Sequence, residues 1–172
     1  MNTLAAVMQL LVAAAFVSIP VVRHRFGPAA KAAAVAELRR QEIRPEILEE
    51  NGLRFDAGGH ETAVPVIVAL TMIAAASANF ADVDVAQLLT WIFSSLVLLM
   101  NAGIVYSNLS AVKSVEAAFR RSGDPELARV AVAPFLQAAA DTFPTWVRVQ
   151  THMRNTIVFG GSALALLAVS VA

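Results

Sequence analysis

From Thr62 to Ala81 the chain carries no charged side chain, and this apolar run limits the fold more than any other feature. At 1.5 Å of rise per residue, a helix of about 20 residues crosses a hydrocarbon layer of about 30 Å. Glu61 stands just before it, where the positive end of the helix dipole falls, and Pro65 sits in the first turn, where a missing N–H is harmless. The segment reads as a membrane helix with a carboxylate at its edge.

Three other uncharged runs obey the same logic. Residues 1–22 are apolar and are followed at once by Arg23, His24 and Arg25. A secretory signal carries its positive charge ahead of the apolar run, so this order predicts a retained helix with its N-terminus outside. Pro20 is expected to shorten or kink its last turn. Residues 85–112 place Trp91 near one end and Tyr106 near the other, as interfacial anchors would lie, with Asn101 about mid-helix. Residues 155–172 form the last run, where Gly160, Gly161 and Ala165 allow close helix packing. The predicted spans are about 3–22, 62–81, 86–108 and 155–172.

Composition agrees. Hydrophobic residues make up 58% and charged residues 15% of the 172, against about 45–50% and about 25% in soluble domains. Mean hydropathy is +0.64. Zero formal net charge disfavours a nucleic-acid partner. Without cysteine there is no disulfide, thiolate nucleophile or thiolate-held metal.

Two polar segments separate the runs. The first, residues 23–61, is rich in Ala, Glu, Leu and Arg and predicts a surface helix broken near Pro45, with turns at Asn51-Gly52 and Gly58-Gly59. The second, residues 113–154, predicts a helix through VKSVEAAFRR, a turn at Ser122-Gly123-Asp124-Pro125 and a further helix from Pro125. Residues 130–140 are apolar but too short to span, so they pack at an interface or in a bundle. All 13 lysines and arginines fall in these two segments. With four spans both segments share a side, and the positive-inside rule puts them in the cytoplasm and both termini outside. The reading is an all-α integral membrane protein, a four-helix bundle with two helical cytoplasmic segments in one domain over residues 1–172. The lipid bilayer is its first partner, and the inner (cell) membrane of a bacterium is its expected location.

The stretch GGHETAVPVIVAL resembles the part of the MAPEG superfamily (membrane-associated proteins in eicosanoid and glutathione metabolism) in which an acid precedes a proline at the entry to the second helix. The adjoining ANFADVDVAQLLTWIFSSLVLLMNAGIVYSN is similar to that family's short acidic turn and third helix, so the likeness covers about two-thirds of the chain. Asp56, Gly58 and Gly59 stand where the family usually has an asparagine, and LVLLMNAG stands where many members carry an arginine and a histidine. The polar segment before the fourth helix is also longer than the family's usual connection. The resemblance implies a helix bundle, a homo-trimer, and a site for glutathione or another low-molecular-weight thiol at the cytoplasmic membrane edge. It does not by itself establish transferase activity.

Each candidate has two readings. Glu61 either meets an ammonium or guanidinium in the thiol site or is a helix N-terminal charge at the interface. Arg148 and His152 are four apart and share a helical face; with Arg154 they hold an anionic group or anchor the last helix beside Trp146. Tyr106 is a thiol-activating catalytic hydroxyl by the resemblance and a belt tyrosine otherwise. Asn101 either takes part in function or bonds another helix. His24, His60 and His152 show no metal-ligand spacing, and no metal site is expected. Asn108-Leu109-Ser110 fits a glycosylation pattern but faces the cytoplasm in this topology. A non-enzymatic interaction or assembly protein competes with the enzyme reading. A small transporter lacks the usual intramembrane charges.

Overall fold

The computed structural model describes residues 2–50 and 59–171, with backbone alone for Asn2, Leu48, His60 and Glu61. The chain is all-helical, at 85% helix, with no strand among the described residues. The elements are α1 (Asn2–Arg40), α2 (Ile47–Glu50), α3 (His60–Phe80), α4 (Ala86–Leu109), α5 (Ala111–Ser122), a 3₁₀ turn (Leu127–Arg129), α6 (Val132–Ala140) and α7 (Thr145–Ser170). Of these, α1, α3, α4 and α7 are long and apolar enough to cross a membrane. The expected turn at Asn51-Gly52, and Gly58 of the Gly58-Gly59 pair, lie outside the described residues.

Neither Pro20 nor Pro28 ends α1, which continues from the apolar run through the basic stretch to Arg40. Each proline removes one i→i−4 bond, and the Ala-, Leu- and Arg-rich sequence beyond them keeps the helix going. The helix stops instead on a left-handed residue. Glu42 has φ 59°, Ile43 N–H donates to Leu38 C=O (2.9 Å), and Glu42 N–H donates to Arg39 C=O (3.0 Å). This is a Schellman stop with glutamate where glycine is usual, and its flanking Ile43 and Leu38 are both buried in one core. Pro45 comes just after the stop.

The chain divides into two compact units. The first comprises Met1–Val21, Gly58–Ile104 and Arg148–Ala172. Its core joins Val12, Ala13 and Phe16 of α1 with Ala69 and Met72 of α3, Val97 of α4 and Val158 of α7. A second patch packs Ala5 of α1 on Ala165, Ala168 and Val169 of α7. Small residues set the spacing: a Cβ on Gly161 would stand 3.2 Å from Val12 Cγ2 and 3.5 Å from the Met8 carbonyl oxygen. Gly160, by contrast, faces open space.

The second unit comprises Val22–Ala57 and Val105–Val147. Ala30, Ala34 and Leu38 recur every fourth residue along α1 and bury against Phe119, Leu127, Val132 and Phe135. The Ser122–Pro125 turn forms as expected. Gly123 at φ 72° ends α5, and Asp124 Oδ1 accepts from Glu126 N–H at 2.8 Å. Beyond the turn the chain makes a 3₁₀ turn and then α6, rather than one helix from Pro125. The apolar residues 130–140 pack into this unit's core through Val130, Val132, Phe135 and Ala139.

Candidate functional site

The residues that the resemblance assigns to a thiol site are distributed over different elements. Glu61 and His60 occupy the first turn of α3 after Gly59, whose φ of 58° turns the chain into the helix; their side chains lie outside the described residues. Arg148 and His152 are both exposed on α7, one turn apart as their spacing requires. Arg154 sits elsewhere on the helix circumference. It is half-buried, and its Nη2 donates to Asn155 Oδ1 at 3.2 Å. Grouping it with Arg148 and His152 reflects sequence proximity, whereas a six-residue offset rotates it by roughly a third of a turn. Tyr106 belongs to the second unit and is 73% exposed on α4. Among the described residues no group of three or more His, Cys, Asp or Glu side chains is placed to hold a metal.

The first unit contains polar interior chemistry that periodicity alone does not reveal. Gln9 of α1, Asn79 of α3 and Thr90 of α4 are buried together. Gln9 Nε2 donates to Thr90 Oγ1 at 3.0 Å, and Asn79 Nδ2 donates to Gln9 Oε1 at 3.0 Å and to Thr90 Oγ1 at 2.8 Å. The threonine hydroxyl donates in turn to Ala86 C=O at 2.9 Å. Three helices are thereby held in one register by amides that the apolar surroundings would otherwise penalise.

Further along the same helices the polar groups are not all matched. Ser94 and Asn101 of α4 and Ser162 of α7 are buried to 1–2% exposure. Ser94 Oγ, Asn101 Nδ2, Ser162 Oγ and Arg154 Nε have no hydrogen-bond partner among the described residues. Thr90, Ser94, Val97 and Asn101 lie along one stripe of α4, at steps of four, three and four. The signal for this stripe was present in the sequence as isolated polar residues within apolar runs, but only Asn101 is conspicuous there.

The second unit holds its own electrostatics. The Arg44 backbone N–H donates to Glu126 Oε1 at 3.0 Å and its Nε donates to Oε2 at 3.0 Å. The bond from the Arg44 backbone N–H, then that from its side chain, hold the Glu126 carboxyl below the usual carboxylate range. A hollow of about 260 Å³ opens beside Phe119, Leu127 and Val132, with Glu116 and Arg120 at its rim, 3.9 Å apart.

Compared with protein-family models, curated proteins and solved structures, the chain finds no match.

Proposed function

We propose that this is an integral membrane protein whose four long helices span the bilayer as a bundle, with both polar segments in the cytoplasm and both termini outside. The observation that carries the reading is the separation of charge from length. Four helices have the length and apolarity to cross, and every lysine and arginine lies in residues 23–54 or 113–154. The functional reading that accompanies it is MAPEG-like. A small thiol such as glutathione places its carboxylates against Arg148 and His152 and its ammonium near Glu61, while a hydrophobic substrate arrives from the bilayer. Positive charge then stabilises the cofactor's thiolate. The shared exposed face of Arg148 and His152 supports this, and the resemblance alone supplies Tyr106 as hydroxyl donor and a homo-trimer as the assembly.

Two measurements test it. Tags at each terminus of intact cells should be reachable from outside; protection of either one overturns the topology. Glutathione titrated into the purified protein in detergent should bind saturably, and Glu61→Gln and Arg148→Ala should each weaken binding. Absence of binding rejects the thiol reading and leaves the topology standing.

A second reading, a non-enzymatic interaction or assembly protein, draws support from one observation. The second unit has its own buried core and its own ion pairs between distant segments. Capture of a partner through this unit without any dependence on thiol would favour it.

A further inference from the structure

We infer that Phe26, Phe143 and Trp146 form an aromatic wedge that lodges in the headgroup layer of a phospholipid leaflet. The three rings come from two places in the second unit. Phe26 belongs to α1, and Phe143 and Trp146 flank the start of α7, three residues apart. The turn that carries the last two is fixed locally. Thr142 Oγ1 donates to Ala139 C=O at 2.7 Å as α6 ends, and Val147 N–H donates to Pro144 C=O at 2.9 Å as α7 begins. The preset φ of Pro144 suits the entry to a helix. Phe26 meets both rings there. Its centroid lies 6.0 Å from that of Phe143, with the planes at 57°, and 5.8 Å from that of Trp146, at 65°. Tilted and edge-on contacts of this kind are the ones that aromatic quadrupoles favour.

The wedge is packed but not covered. Trp146 is 52% exposed, and Phe26 and Phe143 are half-buried. Exposed Val149 and Met153 follow Trp146 along α7 at steps of three and four, so the indole begins an exposed apolar stripe. Charge and length say what covers it. His24 and Arg25 are exposed just before Phe26, and Arg148 is exposed two residues after Trp146. The 26 residues of α7 measure about 39 Å, and the 25 from the start of α1 at Asn2 to Phe26 measure about 37 Å. A bilayer with its headgroups is about 40–45 Å thick. Both helices therefore put the wedge nearly a full bilayer's depth from their far ends, in the layer where hydrocarbon meets phosphate. There the ring bodies take the ester and upper acyl region, while the indole N–H and the flanking cations reach the phosphates. The inference rests on the four helices spanning the bilayer and does not depend on thiol binding.

Trp91 and Trp146 are the chain's two tryptophans, so each can be read alone. Full-length Trp91→Phe and Trp146→Phe variants are reconstituted in vesicles of phosphatidylglycerol and phosphatidylcholine. The phosphatidylcholine carries bromine either close to the headgroup or close to the chain end, and iodide on both sides of the membrane serves as the aqueous quencher. Trp146 emission should fall more with the shallow bromine than with the deep one, and it should resist iodide. Adding Phe26→Ala to Trp91→Phe removes the ring that backs the indole, and should weaken the preference for shallow bromine and admit more iodide. Iodide quenching of Trp146 with no loss to either brominated lipid, beside a Trp91 that brominated lipid does quench, overturns the wedge and keeps the spanning bundle. That result would also be given by rings that await a soluble protein. Stronger quenching of Trp146 by the deep bromine, or a profile unchanged by Phe26→Ala, overturns the wedge as well. If neither tryptophan loses emission to brominated lipid, the spanning bundle falls and the wedge with it.

Discussion

Gln9 and Thr90 are 81 positions apart in sequence, yet the Gln9 amide donates to the Thr90 hydroxyl at 3.0 Å inside the first unit. Asn79 bonds both of them, so α1, α3 and α4 meet at one polar point. Replacing Asn79 by leucine leaves the Gln9 carbonyl oxygen without its donor in apolar surroundings. A loss of about 1–3 kcal/mol is expected, as for other buried groups stripped of a partner. Thermal unfolding of the purified variant measures it. A Gln9→Leu, Asn79→Leu double variant should lose less than the two singles combined, because the polar group stranded by each single is gone.

Glu42 holds a left-handed conformation at the end of α1 that favours glycine. Glu42→Gly should therefore stabilise the protein by about 1 kcal/mol, the relief of strain being partly offset by the freer unfolded chain. Chemical unfolding at neutral pH checks the sign. A destabilised variant would mean that the glutamate side chain contributes more than its backbone costs.

Gly161 of α7 packs against Val12 and Met8 of α1. Gly161→Val puts branched carbons against Val12 Cγ2 and the Met8 carbonyl and should cost about 1–3 kcal/mol through overpacking. Gly161→Ala is milder, since Val12 needs to move only a few tenths of an ångström. Pairing Gly161→Ala with Val12→Ala should recover part of the loss from Val12→Ala alone, which a double-mutant cycle detects. The same valine at Gly160, which faces open space, should cost only the ordinary change in helix propensity.

The Arg44–Glu126 pair makes the second unit sensitive to acid. Because Glu126 titrates below its unfolded value in the folded chain, its contribution is present above the ordinary carboxylate pKa and is lost as pH falls through the lowered folded value. At neutral pH, Glu126→Gln should melt below the native protein. That gap should narrow as pH falls below the ordinary carboxylate range and through the lowered folded value, where the native carboxyl takes up its proton as well. A gap that stays constant down to acid pH would show that the hydrogen bonds, and not the charge, carry the contribution.

Much of the architecture was legible without coordinates. An uncharged run of about 20 residues has few folding options, because helix is the conformation that satisfies its own backbone within the segment. The Ser122–Pro125 turn was equally local, since Gly123 takes the left-handed angle and the Asp124 carboxylate accepts from the Glu126 N–H just beyond it. The extent of α1 was not legible. Pro20 reads in sequence as shortening or kinking the last turn of the first run, while in the structure it lies within a helix that runs on to a Schellman stop at Glu42.

The interior divides the same way. Periodicity puts Thr90, Ser94, Val97 and Asn101 on one stripe of α4, and it separates Arg154 from Arg148 and His152, but it is silent on what each stripe faces. That depends on how far one helix slides along another, which is set by contacts distant in sequence, such as Gln87 on Val169 and Gly161 against Val12. Local sequence therefore determined where the helices are and where the charge gathers. Tertiary packing alone decided that Asn79 completes a network with Gln9 and Thr90, and that Asn101 is buried with its amide nitrogen unmatched among the described residues.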